Sequence, residues 1–201
     1  MKMISQGAEA KLFKDKDILT KERIKKSYRL EEIDHMLRKR RTKKEAKLLA
    51  RAKRAGVLTP KIIDVDKYSI KMEFIEGSIV KDIVNKKNHK KLAELIANGV
   101  GKLHSSDIIH GDLTTSNMIL KNDDLFFIDF GLGFHSSRIE DKANDIYLLR
   151  QIIESTHFEV FESFWDTFLS IYAKKYKDSR TVISTIKKIE KRGRYRKRKS
   201  D

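Results

Sequence analysis

The chain has no cysteine among its 201 residues. That excludes a disulfide framework and any cysteine-ligated metal centre, and it suits a cytoplasmic location. A single proline argues against proline-rich linkers and low-complexity tails. No apolar run is long enough to span a bilayer, so no membrane association is expected. The opening MKMISQGAEAKLF lacks the extended apolar segment of a signal peptide. Internal repeats are absent too. With 39% hydrophobic residues the chain can bury a real core, in one domain or two small lobes.

The net charge of +16 is unevenly placed. Lys21–Arg54 carries 15 Lys or Arg against 5 Asp or Glu, a net of +10, and Lys187–Lys199 carries 9 against 1, a net of +8. The remaining residues sum to −2. Two basic segments on a near-neutral body point to a polyanion footprint. For either segment alone, a solvated helix face or an unstructured tail explains the charge equally well.

Residues 108–131, IIHGDLTTSNMILKNDDLFFIDFG, carry the chemistry. Asp112 and Asn117 are separated by four residues, and Asp129 follows on an apolar run before Phe130 and Gly131. Magnesium-dependent phosphoryl transfer uses this order: one carboxylate orients the attacking hydroxyl or water, and an Asn and a second Asp hold metal on the nucleotide phosphates. Asp-Phe-Gly alone is a weak match; the ordered pair with its spacing is specific. Taken singly, Asp112 reads as a cap or turn residue, Asn117 as a loop amide, and Gly111 and Gly131 as positive-φ positions. His110 reads as a hydrogen-bonded structural histidine.

Around this stretch the chain reads as α+β. Met1–Gln6, Lys11–Lys14 and Ile18–Arg23 form strands joined at Gly7–Ala10 and Asp15–Asp17. Residues 24–41 are a charged segment with helical spacing at Leu30, Ile33 and Leu37. Thr42–Ala55 predicts a helix with Thr42 as N-cap, Glu45 as its capping-box partner and Gly56 as the stop. Glu45 has a competing role as partner of Lys21. Ile62–Val65 and Ser69–Phe74 pair around Asp66-Lys67 and end in MEFIEG, where the backbone of Glu73–Ile75 offers hydrogen bonds to an adenine edge. Helices follow at Ser78–Lys86 and His89–Ser105, short strands at Met118–Leu120 and Leu125–Ile128, and three helices around 140–155, 158–176 and 179–190. Phe158, Phe161, Trp165, Phe168 and Tyr172 recur at helical spacing as a core stripe. The tail KRGRYRKRKSD has no apolar face to bury.

QGAEAKLF at 6–13, TKERIKKSYR at 20–29, RRTKKEAKLLARAKRAG at 40–56, MEFIEG at 72–77, HGDLTTSNMI at 110–119, IDFGLG at 128–133, EDKANDIY at 140–147 and RGRYRKRK at 192–199 together resemble one family. It is the PRPK-type atypical kinase/ATPase subunit of the KEOPS (EKC) complex, in its archaeal form. The resemblance implies a minimal bilobal protein-kinase-like fold over 1–190, with an N-lobe of about 1–74, a C-lobe of about 78–190 and a basic tail at 191–201. It implies ATP and Mg2+, a serine/threonine kinase or ATPase activity, and Asp112 as the catalytic aspartate. Asn117 and Asp129 become the metal ligands, Lys21 the phosphate-contacting lysine and Glu45 its partner. The nucleotide-covering loop is then Ile4, Ser5, Gln6, Gly7, Ala8, Glu9, Ala10, Lys11 and Leu12, with Glu73 and Ile75 at the adenine and Asp145 bracing the catalytic loop. The implied partners are a TsaD-like threonylcarbamoyl transferase, other KEOPS subunits, and tRNA through Lys191–Lys199.

Departures from ordinary protein kinases matter. The covering loop keeps only Gly7, and Gly111 stands where an Arg usually precedes the catalytic Asp. Only 13 residues separate Gly131 from Asp145, and only 70 follow Gly131, so no long activation segment fits. The competing readings are a scaffold that binds nucleotide or tRNA without turnover, and a small-molecule or RIO-like kinase.

Overall fold

The computed structural model describes residues 1–197. It is α+β, with a β-sheet N-lobe and a mostly helical C-lobe. The sheet is built from β1 (Lys2–Gln6), β2 (Ala10–Asp15), β3 (Ile18–Arg23), β4 (Ile62–Val65) and β5 (Ser69–Glu73), antiparallel in the order β1-β2-β3-β5-β4. Register puts Leu12 opposite Lys21 and Lys21 opposite Ile70. Strand alternation therefore sends Leu19, Lys21 and Arg23 to one face, the face that α1 covers.

Helix α1 runs unbroken over Glu31–Arg54, which corrects two expectations. Thr42 is not a cap: it lies mid-helix, and its hydroxyl donates back to the Arg38 carbonyl at 2.9 Å. Nothing between Glu31 and Thr42 breaks a helix, and the charged segment buries Asp34, which accepts from the Lys26 N–H and the Arg38 Nε. Glu45 is accordingly free of capping duty.

The C-lobe begins with β6 (Ser78–Ile79) and the one-turn α2 (Val80–Ile83). The helix expected over Ser78–Lys86 is cut short because β6 pairs with β8 (Met118–Lys121), which in turn pairs with β9 (Asp124–Phe127). Helix α3 (His89–Ser105) fills its expected span and packs against α5 (Phe161–Lys175). Strand β7 (Ile108–Ile109) leads into the stretch that carries Asp112 and Asn117 and pairs with β10 (Phe134–His135). Helices α4 (Ile139–Thr156) and α6 (Ser179–Lys197) complete the lobe.

Ile96, Leu103, Ile146, Leu149, Phe164 and Phe168 are fully buried in the core. The expected aromatic stripe is core at Phe161, Phe168 and Tyr172, with Trp165 partly buried against it and Phe158 73% exposed. Phe158 sits in a short 3-10 turn before α5 begins, off that helix's inner face. The last helix continues past residue 190 to Lys197 and takes in much of the expected tail; residues 198–201 lie outside the described ones. Among the described residues, no helix is long and apolar enough to cross a membrane.

Candidate active site

Lys21, at the middle of β3, places its Nζ 2.7 Å from Glu45 Oε1 and 2.8 Å from Asp129 Oδ1. It therefore joins the sheet, α1 and the end of the catalytic stretch. Burial alone would lower the ammonium's pKa, but the charges of Glu45 and Asp129 outweigh it and hold it above its ordinary 10.5. Glu45 is 1% exposed, and its second oxygen takes Arg23 Nη2 at 2.5 Å.

Asp129 follows β9 in the left-handed region, at φ +59°. That conformation turns the carboxylate back, so that Oδ1 accepts the Gly131 N–H at 3.1 Å as well as Lys21. Burial pushes this carboxyl up; Lys21, by charge and hydrogen bond, more than reverses it and keeps Asp129 below the usual carboxylate range. Gly131 itself has no positive φ. A side chain there would meet Asp129 Oδ1 at 3.0 Å, so close approach explains this glycine. Gly111 does take a positive φ, +79°, and an added Cβ would lie 2.6 Å from the Leu132 carbonyl oxygen. No larger residue, and no arginine, fits that position without moving the backbone.

Asp112 and Asn117 are joined directly. Asn117 Nδ2 donates to the Asp112 carbonyl at 2.9 Å and to Asp112 Oδ2 at 2.8 Å. Among the described residues, the Asp112 Oδ1 and the Asn117 side-chain oxygen have no hydrogen-bond partner. His110 is fully buried, with Nε2 3.1 Å from the Ile128 carbonyl. Burial pushes its pKa below the ordinary 6.5, and it serves as a strut between the loop that carries Asp112 and the Asp129 segment. Asp145 on α4 accepts the backbone N–H groups of His110, at 2.8 Å, and Gly111, at 2.9 Å.

Two cavities flank this cluster. One, of about 440 Å3, lies between the lobes with apolar walls from Leu12, Leu19, Met72, Ile75, Ile119 and Ile128, and it ends at Lys21, Asn117 and Asp129. The other, of about 390 Å3, opens beneath the β1–β2 turn and is lined by Lys21, Arg23, Asp112 and Asp129. A larger cavity of about 670 Å3 lies elsewhere, against Val84–Lys87 and Thr156–Val160, and contains none of the expected site residues.

Of the expected covering loop, Ile4, Ser5, Gly7, Ala8, Glu9, Ala10 and Leu12 line one or both cleft cavities, and Gln6 and Lys11 line neither. The turn is tied down at several points. The Gly7 N–H donates to the Ala10 carbonyl at 2.9 Å, the Ile24 N–H to the Glu9 carbonyl at 3.1 Å, and Arg41 Nη1 reaches Glu9 Oε2 at 2.5 Å. Lys26 Nζ caps the Ala8 carbonyl. At the linker, the Glu73 N–H is taken by the Lys61 carbonyl and the Phe74 N–H by the Asp17 carbonyl, while the Ile75 N–H has no partner among the described residues and Ile75 lines the apolar cavity.

Arg23 was not anticipated. It is 5% exposed and holds the carboxylate that sequence reasoning assigned to Lys21 alone. The period-2 spacing of Leu19, Lys21 and Arg23 was the available signal.

Residues 5–152 match the RIO domain family. The KEOPS complex subunit Bud32 of Pyrococcus abyssi is 42% identical, over 98% of each chain. A probable bifunctional tRNA threonylcarbamoyladenosine biosynthesis protein of Methanobrevibacter smithii is 45% identical over 96% of this chain and 36% of its own. The chain thus spans about a third of the length of such bifunctional relatives. Among solved structures, the Rio2 kinase–ADP/Mg2+–phosphoaspartate complex from Chaetomium thermophilum aligns with a TM-score of 0.65 at 13% identity, covering 97% of this chain and 72% of that one. ADP-bound aminoglycoside phosphotransferase APH(2'')-Ib aligns at 0.56 with 14% identity, covering 93% and 90%. At those identities the likeness is one of fold. The chain belongs to the RIO-domain family, in the group that includes the KEOPS subunit Bud32.

Proposed function

We propose that the cleft binds ATP with Mg2+ and transfers or hydrolyses the terminal phosphoryl group, as the atypical serine/threonine kinase or ATPase subunit of a KEOPS assembly. The observation that carries this is the Lys21–Glu45–Asp129 cluster standing beside the Asp112–Asn117 pair. The apolar cavity fits a flat base, with the Ile75 N–H at its edge and Lys21 at its far end. Phosphates then meet Lys21 and the turn at Gly7–Ala10.

Magnesium suits the donor set. No group of three or more His, Cys, Asp or Glu converges among the described residues, and Mg2+ needs none, since it takes one or two protein oxygens plus waters and substrate phosphates. Asp129 and the free side-chain oxygen of Asn117 would hold it, and it would neutralise charge on the phosphates. Asp112 is fixed through Oδ2 by Asn117, so Oδ1 is left to orient an attacking hydroxyl or water and accept its proton.

The acceptor is water or a Ser/Thr hydroxyl on the chain or a partner rather than a docked peptide. Only residues 132–138 join Gly131 to α4, and β10 within them is occupied by pairing with β7. The relative named for threonylcarbamoyladenosine biosynthesis supports a role in tRNA modification beside a TsaD-like transferase, with the basic 191–199 stretch contacting tRNA. A radiolabelled-ATP assay with and without the transferase and tRNA tests the reading. Magnesium-dependent release of phosphate, or labelling of protein, is expected; nucleotide binding with no turnover in any mixture would leave only a scaffold.

A further inference from the structure

The catalytic loop is oriented by one carboxylate. Asp145 is fully buried, and its two oxygens accept the N–H groups of His110 and Gly111, immediately before Asp112. What orients Asp145 in turn is a second layer of polar groups that neither the motifs nor the family likeness singles out. His104, on α3 and 0% exposed, has Nε2 3.5 Å from Asp145 Oδ2. Its other nitrogen, Nδ1, is 2.9 Å from the Tyr172 hydroxyl on α5.

The direction of these hydrogen bonds follows from the partners. Tyr172 is inaccessible, and burial pushes its phenol well above its ordinary pKa, so it remains an O–H donor. The Asp145 carboxylate can only accept, so Nε2 donates its N–H to it, and Nδ1 is left to accept from the Tyr172 hydroxyl. The 3.5 Å joint is at the outer limit of a hydrogen bond, and such contacts tighten in a reacting complex.

A parallel strut starts at Tyr176, the first residue past α5. The Tyr176 hydroxyl takes Lys142 Nζ at 2.9 Å, and that ammonium, 2% exposed, reaches Asp107 Oδ1 at 2.6 Å. The Asp107 carbonyl accepts the Ser136 N–H at 2.9 Å and meets His135 Nδ1 at 2.7 Å. Tyr172 on α5 and Tyr176 just past its end therefore grip both ends of the Asp107–Gly111 segment.

We propose that His104, set by Tyr172, is a positioning residue for the phosphoryl-transfer step, transmitting the register of α5 through Asp145 to the loop that carries Asp112. The inference rests on the phosphoryl-transfer reading above. It differs from plain core packing in that the donated proton at Nε2 matters, and not only the volume of the ring.

Four proteins test it: the full chain, His104→Leu, His104→Gln and Tyr172→Phe. Turnover, ATP affinity and amide exchange at His110 and Gly111 are measured on each. His104→Leu is expected to lower kcat about tenfold or more, with ATP affinity changed by no more than about twofold and faster exchange of both amides. His104→Gln, whose amide N–H reaches the same side of the pocket, recovers most of the loss. Tyr172→Phe keeps the ring stacked on Phe168 and removes only the donor, so it carries the test even where His104→Leu does not fold. Unchanged kcat and exchange in Tyr172→Phe, or equal losses in the Leu and Gln variants, overturns the proposal. If the wild-type chain turns over no ATP, the functional reading fails separately, and the amide exchange still decides whether the dyad holds the loop.

Discussion

Arg23 and Glu45, separated by 22 residues in sequence, meet at 2.5 Å in the interior of the N-lobe. Because Arg23 keeps one oxygen of Glu45 and Lys21 the other, the lysine can turn to a phosphate without stranding a buried carboxylate. Breaking a buried pair by removing one partner costs about 3–5 kcal/mol, so Arg23→Met is expected to lower unfolding stability by roughly that amount. Urea denaturation checks it; a loss within about 0.5 kcal/mol, as at an ordinary surface site, would contradict the shared clamp.

Removing the carboxylate instead should separate stability from activity. Glu45→Gln leaves Lys21 with Asp129 and leaves Arg23 without its ion-pair partner, so the loss in denaturant should again be a few kcal/mol. Turnover should fall by about 10²-fold or more as Lys21 loses its aim. Lys21→Ala should cut turnover at least as heavily while costing less stability, since Arg23 continues to hold Glu45. Equal stability losses in the Lys21 and Glu45 variants would count against the arrangement.

Stability should decline on mild acidification through His110. Its folded-state pKa lies below the ordinary 6.5 because burial disfavours the imidazolium. Between those two values the unfolded chain binds a proton that the folded chain does not, so unfolding free energy rises with pH across that interval and levels off above it. His157 is shifted the same way by burial and the Lys81 charge. Denaturation from pH 5 to 7.5 should therefore show a slope that shrinks in His110→Asn. An unaltered slope in that variant would mean that His110 binds protons alike in the folded and unfolded chains.

The basic end of the chain should act through charge. Removing Lys191–Asp201 takes away seven Lys or Arg by sequence and cuts the contact between Arg192 and Glu140, while sparing the Arg150–Glu190 pair at 2.9 Å. Weaker tRNA binding, with a smaller dependence of affinity on salt, is expected. Binding and tRNA-stimulated ATP hydrolysis that are both unchanged in low salt would remove this end from the interface.

Much of this arrangement was legible, and the gaps have physical causes. The chemistry-bearing residues could be read because Asp112, Asn117 and Asp129 lie within a short stretch whose spacing is local. Lys21 was reachable by strand counting. Arg23 was not read, because an arginine ending a charged strand looks solvent-facing until a helix covers that face. The Thr42 cap failed because a threonine followed by Glu45 satisfies the capping pattern equally well in mid-helix, where the hydroxyl bonds backward to Arg38. Strands β6, β7 and β10 are two residues each, too short for any periodicity. Asp145 came only through family likeness, Tyr172 only as a core aromatic and His104 not at all, because their bonds join residues 41 and 68 positions apart.

The central claim is that Asp129 works on nucleotide phosphates rather than serving as a structural partner of Lys21. Magnesium-dependent ATP turnover by the wild-type chain and by Asp129→Ala, at matched folding and with the transferase and tRNA present, tests this most directly. The account predicts a loss of at least about 10²-fold in the variant with its folding transition retained. Turnover equal to wild type in Asp129→Ala would contradict it.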